Sequence, residues 1–245
     1  MRKLILRIIL PMLLMAFAPL ALAQDDERPE FKMPCQQALK LGLDRFMKIY
    51  GEKTQDYSTV GQKQAFEYWV TCKRPANDEL ATKLLSTGHN LGAYEAKRLQ
   101  LDDVREEFNK FGSALWNLKY FEEGGGTMWG LISVGAYAER ENFMETLIRA
   151  LAMSERHVPR ARRNVNASLS RIQTWLSSRK RKPFTEGSEP EEITQRKQSY
   201  QEAIKETQDA LAKLRDILKD MPDVAAERLA TKMASEARNA LVDSP

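Results

Sequence analysis

Histidine is almost missing from this chain: His89 and His157 are the only two in 245 residues. Neither lies in a metal-ligand spacing such as HExxH, so imidazole catalysis and a histidine-bound metal have little to stand on. Cysteine is equally sparse, with Cys35 and Cys72 alone. They form no CxxC pair and have no histidine near them in sequence, which puts a structural disulfide ahead of a metal pair or a redox dithiol. No GxSxG elbow, no GxxxxGK[ST] phosphate loop and no dinucleotide fingerprint after a strand occurs. Acids stand in pairs at Asp102-Asp103, Glu106-Glu107 and Glu122-Glu123, but neighbouring acids on a charged helix ordinarily form its wet face. The expectation is a non-enzyme with no catalytic residue, cofactor or metal.

Glycine and proline are also few, at 12 and 10, and the chain is 42% apolar and 29% charged. That balance supports a folded, helical protein rather than a disordered one. A first helix is predicted from about Pro34 to Tyr50, stopped by Gly51, and a second from about Ser58 to a stop at Lys73-Arg74-Pro75. The two cysteines would then tie the start of one to the end of the other. Asn77 and Asp78 read as caps of a long third helix, whose apolar residues recur every seven places through Leu101, Phe108 and Leu115 and through Val104, Phe111 and Leu118. Glycines at 88 and 92 predict a kink or break inside it.

Four more helices are expected, from Met128 to about Met153, Pro159 to about Arg181, Glu191 to Asp220 and Pro222 to Val242. The sixth in order repeats through Tyr200, Thr207, Leu214 and Met221 and is expected to pair antiparallel with the fifth. No segment has strand period. The fold class is therefore all-α, a helical bundle of about seven helices with antiparallel coiled-coil-like hairpins and one disulfide. An N-terminal helical region is read over 24–155 and a C-terminal hairpin region over 156–245.

The first 23 residues have a basic start at Arg2, Lys3 and Arg7, a greasy stretch from Ile8 to Leu20, and small residues at Ala21 and Ala23. This is the pattern of a cleavable export signal, with the mature chain beginning near Gln24. An uncleaved membrane anchor is the rival, and Pro11 and Pro19 inside the apolar run count against it. The expected location is periplasmic or secreted, where an oxidising milieu suits the disulfide. No later segment is apolar enough to span a bilayer, so no transmembrane segment is expected in the mature chain.

Charge is unevenly placed. From Arg156 to Lys182 the chain has nine Lys or Arg and no Asp or Glu. Arg160, Arg162, Arg163, Arg171, Arg179, Lys180, Arg181 and Lys182 are accordingly candidates for binding an anionic lipid or an acidic envelope polymer. Nucleic acid is not expected as a partner of an exported chain. The competing account is internal, because residues 183–245 carry thirteen acids against nine bases and can neutralise the basic block from within.

The sharpest punctuation is Glu122-Glu123-Gly124-Gly125-Gly126-Thr127, flanked by Trp116, Tyr120, Phe121 and Trp129. Two anions at the carboxyl end of a helix cost a few tenths of a kcal/mol, the reverse of the usual preference. One reading is a plain turn with core aromatics and solubilising acids. The other is an exposed aromatic and acidic knuckle that grips a basic partner, since aromatic residues supply interface hot spots. The run Tyr120 to Met128, followed by Leu131-Ile132 and a charged helix to Leu147, resembles the end of the bacterial LprI-type lysozyme-inhibitor domain over roughly residues 107–151. Unlike that family, this chain has no cysteine in the helices flanking the turn. The resemblance implies a small helical periplasmic domain of a kind in which some members bind lysozyme, so a lysozyme-like protein is the partner it suggests. The alternative is a structural or adaptor bundle, which self-associates into a homo-oligomer through its seven-residue repeats or binds anionic envelope components.

Overall fold

The computed structural model describes residues 31, 33–87, 91–124, 126, 128–153, 158–179, 182–186 and 189–242. The expected leader, the segment before Phe31 and both histidines lie outside the described residues. So do Gly125, Thr127, Lys180 and Arg181 of the candidate sites. Eight helices are described: α1 (Cys35–Leu41), α2 (Leu43–Thr54), α3 (Thr59–Ser86), α4 (Leu91–Glu123), α5 (Met128–Ala152), α6 (Pro159–Ser177), α7 (Pro190–Asp220) and α8 (Asp223–Leu241). No strand occurs among the described residues. None of these helices is long and apolar enough to cross a membrane.

Several boundaries differ from those the sequence predicts. The first helix is two, separated at Gly42, whose φ of 77° an L side chain rarely adopts. Gly51 is buried inside α2, and the helix runs on to a left-handed stop at Gln55. Pro75 does not stop α3. It removes the N–H that would reach the Thr71 carbonyl, a cost of about 3 kcal/mol in a free helix, but tertiary contacts hold both sides of it. Cys72 is bonded to Cys35, the Lys73 ammonium lies 2.6 Å from Glu145, and Asn77 donates to the Glu141 carbonyl at 2.7 Å. Asn77 and Asp78 are therefore mid-helix residues, not caps. α3 is described to Ser86 and α4 from Leu91, so Gly92 lies inside α4, while Gly88, where a kink or break is also expected, lies outside the described residues.

At the other starts, local chemistry is as expected. Ser58 caps α3 by accepting from the Gly61 N–H at 3.1 Å, and Pro159 and Pro190 open α6 and α7, where a missing N–H costs nothing.

α4 is the central helix and lies against α3, α5, α7 and α8. Its inward residues Leu101, Val104, Phe108, Phe111 and Leu115 share one buried cluster with Leu211, Leu214 and Leu218 of α7 and Leu229 and Met233 of α8. Burial of each such side chain contributes roughly 1.5–3 kcal/mol before the entropy of ordering is set against it. That cluster draws on helices from both sides of residue 155, so the two regions read from the sequence share a core. α7 runs antiparallel to α4, with Tyr200 beside Glu122 and Lys213 beside Glu107. The expected pairing of this helix with α6 is thus corrected: α6 lies on α8 instead, with Arg162 at Asp223 and Arg179 at Leu241. A smaller cluster of Met33, Ala38, Phe46, Tyr50 and Trp69 joins α1 and α2 to α3.

Candidate functional site

The glycine turn sits at one end of the bundle, where α4 finishes and α3 and α5 begin. Trp116 and Tyr120, one helical turn apart on α4, converge on Trp129 at the start of α5. Ring centroids are 6.3 Å apart for Trp116 and Trp129, and 6.1 Å, nearly perpendicular, for Tyr120 and Trp129. These separations suit edge-to-face attraction. All three rings are partly exposed. Tyr120 also meets Phe121 edge-on, with centroids at 5.3 Å. The Lys119 ammonium stands 5.6 Å from the Trp116 ring and 3.8 Å from Glu123, whose side chain is 43% exposed. Met128 sits beside Thr59 at the start of α3, and Met128, Val60, Tyr57 and Phe184 are among the exposed apolar residues of this end.

The turn is braced from beneath. Gly124 has a φ of +84°, and a Cβ there would come within 2.7 Å of the Phe184 ring, so glycine answers both a backbone and a packing demand. The Phe184 N–H donates to the Phe121 carbonyl at 2.7 Å, which folds the segment after α6 against the turn.

The two acids before the glycines do different things. Glu122 turns inward to a fork of hydrogen bonds from Arg179 and accepts from the Tyr200 hydroxyl at 2.7 Å. Its side chain is 1% exposed and that of Arg179 is 6% exposed. One residue of the expected acidic knuckle and one of the expected anion site thus satisfy each other inside the protein. Only Glu123 remains an outward-facing acid. Burial, with the Glu122 carboxylate beside it, pushes the Tyr200 hydroxyl up to about 12.

A direct test follows from that shift. The folded chain keeps a proton on Tyr200 that the unfolded chain loses above pH 10, so stability declines between pH 10 and about 12. Alkaline unfolding curves for the parent and the Tyr200→Phe variant should converge across this interval, because the variant has no such proton to lose. Parallel curves would contradict it.

Of the remaining basic candidates, Arg160, Arg163, Arg171 and Lys182 are exposed. Arg162 is committed inward: it bonds Asp223 and donates to the Leu218, Lys219 and Met221 carbonyls, closing the carboxyl end of α7. Among the described residues no cluster of three or more His, Cys, Asp and Glu side chains could hold a metal ion.

No family model matches this chain, and neither a curated protein nor a solved structure matches it.

Sequence reading missed a polar seam running through the bundle. Arg140, 2% exposed, reaches from α5 across α4 to Glu236 of α8 at 3.2 Å and also donates to Asn109 at 3.0 Å. Arg105 of α4 meets Asp78 at 2.9 Å and Glu141 at 3.7 Å. Burial raises the Glu236 carboxyl above the ordinary carboxylate range, while Arg140 and Lys232 pull it the other way. Glu145, held by Lys73 and Arg149, is lowered. A signal was present: Arg140 and Glu141 fall four and three places before Met144, and seven places before Leu147 and Ile148 respectively, on the apolar stripe of α5.

Proposed function

We propose that this is an exported, non-enzymatic binding protein of the cell envelope that grips a basic protein partner with the aromatic end of its bundle. The observation that carries the reading is the group of partly exposed Trp116, Tyr120 and Trp129 rings, bordered by exposed Met128 and by Glu123. Large rigid rings concentrate binding energy at interfaces, and an acidic rim steers a cationic partner toward them. Export is supported by the pattern of the first 23 residues and by the bond between the two cysteines. The resemblance of residues 107–151 to the LprI-type domain selects lysozyme as the first partner to try.

Immobilised protein should capture c-type lysozyme at low salt. Trp129→Ala should weaken capture by about thirty-fold, the equivalent of a 2 kcal/mol hot spot. Glu123→Lys should slow association and flatten the salt dependence. Both variants should keep the helical circular dichroism of the parent, because both side chains lie at the surface. Failure of the parent to capture lysozyme, or capture unchanged in both variants, would count against the reading.

A further inference from the structure

α6 lies on α8 and α7 lies on α4, and between α6 and α7 a groove of about 760 Å³ stays open. That volume is within the roughly 300–1,000 Å³ of small-molecule sites. Its floor is apolar, formed by Val165 and Leu169 of α6 and Leu218 of α7. The α6 wall carries short polar groups, Asn166, Ser170 and Thr174, and the α7 wall carries Arg215 and Lys219. No acidic residue lines the groove among the described residues.

The charge at one end is set by how α7 stops. The last carbonyls of a helix present partial negative charge that would repel an anion. Here Arg162 covers them, donating to the carbonyls of Leu218 and Met221 at 2.5 and 2.6 Å, while Asp223 occupies its other face. Lys219 leans on Asp216 at 2.7 Å at the outer rim. Arg215 makes no ion pair with any described residue and is exposed at the groove wall. Asp216, which also pairs with Lys219, feels its charge, so these two cations exceed the acid they share by one charge beside an apolar floor.

We propose that the α6–α7 groove binds a single-chain anionic amphiphile, with its head group at Arg215 and Lys219 and its apolar chain along Val165, Leu169 and Leu218. An uncharged amphiphile would leave the excess positive charge of Arg215 and Lys219 over Asp216 unanswered, and a bare anion would leave the floor wet. The site is separate from the aromatic end of the bundle and does not depend on the reading given to it.

Calorimetric titration of the protein with dodecyl phosphate, kept below its micelle concentration, tests this. The parent should bind it at least ten-fold more tightly than dodecyl maltoside or inorganic phosphate. The double variant Arg215→Glu with Lys219→Glu, which alters only exposed side chains, should lose at least ten-fold in affinity. Asn166→Trp, which fills the groove from its exposed wall, should do the same. Trp129→Ala should leave binding unchanged. No binding by the parent, equal binding of dodecyl maltoside or of phosphate alone, or unchanged affinity in both groove variants would overturn the proposal.

Discussion

Replacing Arg140 with alanine should lower the unfolding free energy by about 3–5 kcal/mol, the usual cost of removing one partner of a buried ion pair. Urea unfolding followed by circular dichroism at neutral pH measures it. The cause is local. Gly112 is the gap that lets the guanidinium cross α4, since a Cβ at that position would stand 2.0 Å from Arg140 Nη1 and 2.8 Å from Glu236 Oε2. Arg140 thereby pins three helices at one point, and its loss leaves the buried Glu236 with Lys232, 3.6 Å away, as its remaining cation among the described residues. The pH dependence gives a second readout. A carboxyl raised in the folded state keeps a proton the unfolded chain releases, so its contribution to stability falls as pH rises from 4.5 through its raised value. Without Arg140 the rise is greater, and the deficit of the variant should shrink as pH falls through that window. The double variant Arg140→Met with Glu236→Leu should recover most of the loss, because a well-packed apolar pair of similar size replaces a buried ion pair at little cost. A deficit under 1 kcal/mol for Arg140→Ala would show that the pair carries no such weight.

The same seam shows where sequence reading stops. Seven-residue spacing identified the inward faces of α4 and α7, and Leu101, Phe108, Leu115, Tyr200, Thr207 and Leu214 are all buried. Glycine marked the turn after α4, where Gly124 and Gly126 have positive φ, because that conformation is a property of the residue itself. The pairing of helices is not such a property. Neighbours in sequence suggested that α7 would fold back on α6, whereas its apolar face is complementary to α4, and only the assembled core decides between them. Pro75 misled for the same reason: its cost is local, and what offsets it comes from Cys35 and from Glu141 and Glu145 on α5. Glu122 and Glu123 read alike in one dimension. About 100° of helix rotation separates them, which is enough to place one against Arg179 and Tyr200 and the other in solvent. The convergence of Trp116, Tyr120 and Trp129 was legible because these residues are close in sequence. The α6–α7 groove was not, because it exists only where two predicted partners fail to meet.

The second large effect concerns the amino-terminal layer. Changing Cys35 and Cys72 together to serine should destabilise that layer by about 4 kcal/mol, the chain-entropy value for a loop closed over 37 residues. The bond links the first residue of α1 to the buried middle of α3, with the two Cα atoms 5.1 Å apart. α1 and α2 make their substantial contacts with each other and with α3, not with α4, α7 or α8. Their cluster is small and aromatic: Phe31 against Tyr50 at 4.4 Å, Phe46 against Trp69 at 5.6 Å, and the Tyr68 hydroxyl donating to the Met33 carbonyl. A layer held by one small cluster can open without unfolding the rest. Hydrogen exchange should therefore accelerate by about three decades over residues 35–54 in the double serine variant, since each 1.4 kcal/mol is a factor of ten. Protection in α4, α7 and α8 should stay close to that of the parent, because α3 enters the small cluster through Ala65 and Trp69 and the main core through Ala81 and Leu85, farther along the helix. Equal acceleration in all helices would mean that the layer and the main core unfold as one unit. Unchanged exchange over 35–54 would mean that the aromatic cluster holds the layer without the bond.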